Sequence, residues 1–143
     1  MRTRHATLFF FLLAGIAWGT STLAAHHAFA AEFDATKPIK LRGTIVKMEW
    51  INPHTWLHLD VKRPDGKTER WMIEGGPPNA LYRRGFNKDS LPVGAELLIE
   101  GFQAKDGSHR GNGREITFSD GRRLFVGSSG TGAPKDGRDT GEK

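Results

Sequence analysis

From Lys37 to Val126 apolar side chains recur at every second position in short runs, the pattern of strands that bury one face. It is plainest in His54 to Val61. Thr55, Leu57, Leu59 and Val61 fall on one face there, and His54, Trp56, His58 and Asp60 on the other. Lys37 to Trp50 alternates in the same way and predicts a long first strand, with Gly43 at a bulge or kink and Asn52-Pro53 as its end. Pro64-Asp65-Gly66 is turn chemistry, so the strand from His54 and a third over Lys67 to Glu74 form a hairpin. After Gly75-Gly76, Pro77 and Pro78 can open a short helix that runs through Arg84 and stops at Gly85. A fourth strand is predicted over Glu96 to Gln103 and a fifth over Arg114 to Ser119. The turn Asp120-Gly121 then leads to a short sixth over Arg122 to Val126.

Three strands, a short helix and two or three further strands predict an all-β domain with one short helix. This is the element order of a small OB-fold-like Greek-key barrel of five or six strands. An SH3-like barrel or a small lipocalin-like sheet would give similar strands without a helix between the third and fourth. In an OB-like barrel the loops joining strands 1–2 and 4–5, with the outer face of strands 2–3, form the ligand surface. Those loops are residues 50–54 and 104–113, each carrying one histidine, His54 and His109. Trp50, Asn52, Trp56, His58 and His109 are therefore the expected ligand-binding residues.

The ends of the chain lack this alternation. Met1 to His5 is basic, and Ala6 to Trp18 is an apolar run of 13 residues. Such a run is shorter than the roughly 20 residues a spanning helix needs, and small residues follow it, as in a cleaved secretory signal. Cutting after Ala24 or Ala25 is favoured and leaves His26-His27 at or near the new terminus. Ala28-Phe29-Ala30 fits the small-residue rule better but lies 12 residues beyond Trp18 and would remove both histidines. Residues 127–143 contain five Gly and no aliphatic residue beyond Ala133, which predicts a disordered tail. The expected organisation is a signal over 1–25, an extended segment over 26–36, the barrel over 37–126 and the tail. The expected location is periplasmic or secreted, with no stable membrane anchor after cleavage.

Charge and residue usage narrow the function. Loss of residues 1–25 removes two arginines and no acid, so the net charge falls from +5 to +3. That is a weak excess for nucleic-acid binding, and export separates the protein from nucleic acid. No cysteine is present, which excludes disulfides, thiolate ligands and a lipoprotein anchor. No nucleophile motif, phosphate loop or paired-carboxylate spacing appears, and the expectation is a protein that is not an enzyme.

The His26-His27 pair carries the sharpest chemistry. With Ala25 first, the amine, two deprotonated amides and the His27 imidazole make a square-planar four-nitrogen site for Cu(II) or Ni(II). With His26 first, its amine and imidazole chelate together, and His27 or His54 can complete a T-shaped copper site. Zinc is a further candidate. Residues four apart in a strand are roughly 13 Å apart, so His54 and His58 are poor co-ligands, whereas His54 with the terminal pair is feasible. The metal-site expectation is thus His26, His27 and His54. The competing expectation is a non-metal envelope module that recognises a glycan or peptide through Trp56, His58 and neighbouring basic residues such as Arg70.

The segments His26 to Asp34, Gly43-Thr44-Ile45-Val46, Trp50-Ile51-Asn52-Pro53-His54-Thr55-Trp56 and Asp120-Gly121-Arg122 with Leu124 resemble the secreted bacterial family called domain of unknown function 6152. Members read His-His-Ser-Phe at the start, and Ala28 replaces the Ser here. The resemblance spans about residues 26–126. It implies no particular activity, but it implies that the histidine pair is kept in the mature chain, because the family motif starts there. The intact mass of the exported protein is therefore expected to correspond to a chain starting at Ala25 or His26, and a start at Ala31 would remove the metal expectation.

Overall fold

The computed structural model describes residues 29–127. Residues 29–32 are helical and lead directly into β1 (Phe33–Glu49). There follow β2 (Trp56–Lys62), β3 (Thr68–Glu74), α1 (Pro78–Arg83), β4 (Glu96–Ala104), β5 (Arg110–Phe118) and β6 (Arg123–Phe125). The strands form one sheet in the order β3-β2-β1-β4-β5-β6, and an added β3–β5 pairing closes the first five into a barrel. All neighbours are antiparallel except β3 and β5, which run parallel. An all-β barrel with a short helix between the third and fourth strands is what the alternation predicts.

Alternation also fixes what fills the barrel. Leu57, Leu59, Trp71, Ile73, Ile99 and Ile116 point inward, and α1 adds Leu81, with Phe86 and Leu91 following it into the same core. Pro occupies the first helical turn, where its missing N–H costs nothing, and Gly85 ends the helix at a φ of 79°.

Several strand ends shift by one or two residues, and three larger differences have a physical reason. β1 begins at Phe33 rather than Lys37, because Phe33 pairs with Ala104 and is 2% exposed. Its bulge lies between Ile45 and Lys47, not at Gly43. Gly43 instead allows close approach: a Cβ there would meet the Asp60 carbonyl oxygen at 3.0 Å and Val61 Cγ2 at 3.1 Å. The largest difference is β5, which starts at Arg110 rather than Arg114. The Gly-rich tract expected to be loop is strand through residues 110–113, since Gly111 and Gly113 sit where a Cβ would strike Ile39 and Ile73 or Ile73 and Val126. These glycines let β5 lie against the core and meet β3.

Gly101 is still tighter, because a Cβ there would lie 2.1 Å from the Asn112 carbonyl oxygen, an atom held in the β4–β5 ladder. Gly101→Ala is expected to cost more than about 2 kcal/mol in urea unfolding, as backbone must move. Gly66→Ala, at a φ of 82° but in open space, should cost only about 1 kcal/mol. Equal losses would contradict the barrel register.

Candidate functional site

The β3–β5 pairing spans three residue pairs, Met72 with Arg110, Ile73 with Gly111 and Glu74 with Asn112. Across the other side of β3, Trp56 pairs with Glu74 and His58 with Met72. Paired residues share a face, so Trp56, Glu74 and Asn112 form one row on the face away from the core, and His58, Met72 and Arg110 the next. The ladder runs on past the start of β2, for Gly75 N–H donates to Thr55 O and Thr55 N–H to Gly76 O. His54 is thereby carried to the end of the same row, after a cis Asn52-Pro53 bond.

His54 Nδ1 stands 3.1 Å from Glu74 Oε1, and the Asn112 amide donates to the same oxygen at 3.3 Å. Glu74 and Asn112 are 7% and 2% exposed although their face of the sheet is the outer one. Burial pushes the Glu74 carboxyl up to about 7, and the negative charge of Glu32 adds to the rise. Arg110 and the Asn112 amide oppose it. Asn112 Oδ1 is buried without a hydrogen-bond partner among the described residues. Glu74 thus holds a proton readily near neutrality, beside an imidazole.

Two proton placements satisfy the His54–Glu74 contact. A protonated Glu74 can donate to Nδ1, or an ionised Glu74 can accept from Nδ1–H. The second leaves the lone pair of Nε2 as the ring's ligand atom, and a carboxylate behind a histidine in this way raises its basicity and fixes its tautomer.

Arg110 links this row to the start of the chain. Its guanidinium lies 5.5 Å from the Trp56 ring centroid and 3.1 Å from Glu32 Oε2. Lys105 grips the same segment, its backbone N–H donating to Glu32 O at 2.9 Å and its Nζ to Ala30 O. Phe29 stacks on Phe33 at 5.8 Å and meets Phe102 edge-on at 5.7 Å. A cleft of about 510 Å³ lies here, lined by Ala31, Glu32, Ala104, Lys105, Asp106 and Arg110.

The expected site residues divide accordingly. His54 and Trp56 belong to this cluster. His26 and His27 lie outside the described residues. His58 is 15% exposed and pairs through Nε2 with Glu49 at 3.0 Å, away from His54. His109 stacks on Trp71 with centroids 5.0 Å apart and lies 3.6 Å from Glu69, so it does not join His54. Trp50 packs on Phe86 at 6.1 Å, and Asn52 is an exposed residue of the β1–β2 connection. Among the described residues, no group of three His, Asp or Glu side chains is arranged to hold a metal, and no helix is long and apolar enough to cross a membrane. Glu32, Glu74, Arg110 and Asn112 were not among the expected site residues. The sequence signal that could have found them is an acid at a position where β3 should be covered, followed by a Gly-x-Gly tract able to pack closely against it.

Comparison with known proteins places this barrel in a family. A model described as a family of unknown function, DUF6152, matches residues 15–114, and the chain belongs to that family. The match takes in His26, His27, His54, Glu74, Arg110 and Asn112 and stops before β6. No curated protein and no solved structure matches the chain.

A carboxyl whose pKa is higher in the folded state than its ordinary 4.5 contributes its stability at low pH. That contribution is lost as pH rises from about 4.5 through about 7. Glu74→Gln removes the titration while keeping the shape. Its stability relative to the parent is therefore expected to improve by about 2 kcal/mol between pH 5 and pH 8 in urea unfolding, less than the full shift because the site is partly screened. A relative stability that does not change with pH, or that worsens, would contradict a buried Glu74.

Proposed function

We propose that the protein is an exported, non-enzymatic copper-binding protein of the cell envelope. Its Cu(II) ligands are the amino terminus, His26 and His27 of the processed chain together with His54. The observation that carries the reading is the contact of His54 Nδ1 with the buried carboxyl of Glu74. With Glu74 ionised, its carboxylate accepts from His54 Nδ1–H and leaves Nε2 free for a metal, on the face where Arg110 also holds Glu32.

The chemistry of the donors supports copper over harder ions. Imidazole and amine nitrogens with no thiolate suit Cu(II) and Ni(II), and the affinity order favours copper. Export fits the apolar run at Ala6–Trp18 and the absence of cysteine. Zinc or nickel would use the same nitrogens with lower affinity or a different geometry.

The processed protein is expected to take up one tight equivalent of Cu(II) in a competition titration. A variant lacking residues 25–27 should lose that equivalent and retain only weak binding. Equal weak binding by both proteins would remove the reading.

A further inference from the structure

Regular alternation would send Arg114 and Glu115 to opposite faces of β5, but a bulge brings them together. Glu100 pairs with Glu115 and Gly101 with Gly113, which leaves Arg114 as the extra residue. Both side chains consequently line one cleft of about 470 Å³, which runs across β1, β4, β5 and β6. Lys40 Nζ meets Glu100 there at 2.9 Å, and Arg123 donates to Glu115 through Nε at 2.8 Å and through Nη2. Each acid of the cleft is thus committed to one cation, and Arg114 is left over. Its exposed guanidinium has no ion pair or side-chain hydrogen bond among the described residues. The cleft beside Glu32 is different, since Arg110 is held there by Glu32 and Lys105 Nζ by Ala30 O.

We propose that this cleft binds small organic monocarboxylates, with Arg114 taking the carboxylate and Ile39 and Phe102 receiving the apolar body. A guanidinium presents paired N–H groups at the spacing of two carboxylate oxygens, so one residue both neutralises and orients the ligand. Three cations against two acids leave a single positive charge in the cleft, which one carboxylate cancels. Phosphate, largely a dianion near neutrality, would bring a second negative charge up to Glu100 and Glu115. Ile39 and Phe102 are only half-buried, and an apolar body laid on them leaves water as the acid binds. The volume of about 470 Å³ lies within the range of small-molecule sites. All of these residues belong to the strands of the barrel, and the site is independent of the copper reading.

The experiment titrates the metal-free processed protein with benzoate, and separately with inorganic phosphate and benzyl alcohol, while amide nuclear magnetic resonance signals are followed. Benzoate is expected to shift the signals of Lys40, Phe102, Arg114 and Arg123 saturably, and to bind about tenfold more tightly than either comparison compound. Arg114→Gln should weaken benzoate about tenfold and unfold thermally like the parent, because the side chain it alters is exposed and unpaired. Arg114→Lys, which keeps the charge without the planar fork, should lose part of the affinity. Glu100→Gln frees Lys40 and should improve phosphate relative to benzoate. Parental benzoate binding by Arg114→Gln would overturn the proposal, as would signal shifts centred on Lys105 and Arg110. Phosphate binding as tightly as benzoate, or no saturable response of the folded parent to benzoate, would overturn it as well.

Discussion

The parallel seam between β3 and β5 is the constraint on which the rest of the molecule depends. It consists of three residue pairs, yet it turns an open sheet into a barrel and covers Glu74 from the side of β5. Without it β3 would be an edge strand, and a glutamate on its outer face would stay in water at its ordinary pKa. The seam in turn depends on absent side chains. Gly111 and Gly113 allow β5 to lie where any Cβ would meet the core residues Ile39, Ile73 or Val126. A backbone requirement thereby produces an electrostatic one.

Its electrostatic result is a carboxyl with too few partners to be comfortably ionised and too close to an imidazole to be inert. Asn112 donates one hydrogen bond, His54 lies opposite, and Arg110 is shared with Glu32 and Trp56. The unpaired Asn112 Oδ1 adds a desolvation cost of about 1–3 kcal/mol in the same place. Among the described residues the other buried side-chain atom without a partner is Ser108 Oγ, in the β4–β5 connection. The exposed ion pairs, such as Lys40–Glu100 at 2.9 Å and Arg70–Asp60 at 2.5 Å, carry no comparable tension.

Much of the fold was legible because burial writes itself as alternation. The hairpin of β2 and β3, the Pro-Pro helix start, the Gly85 stop and the order of elements all follow from local chemistry. The start of β5 did not, since Gly111 and Gly113 are selected by a contact distant in sequence and read locally as loop. That one misplacement hid Arg110 and Asn112 as well. Glu74 was visible as a strand residue, but its burial is a property of the seam and not of β3. His54 could be read as a candidate from its loop and from the terminal pair. Its carboxylate partner, 20 positions away, could not, and neither could the early start of β1 at Phe33.

A single architecture links these points: the seam buries Glu74, Glu74 contacts His54, and Arg110 ties the row to Glu32 at the entrance of β1. Paramagnetic broadening by one equivalent of Cu(II) in the amide nuclear magnetic resonance spectrum of the processed protein tests that linkage most directly. The account predicts that signals of His54, Glu74, Arg110, Asn112 and Glu32 vanish together while the Asp65-Gly66 turn, at the far end of β2 and β3, stays sharp. Broadening confined to the residues before Phe29, with His54 and Glu74 unaffected, would contradict it.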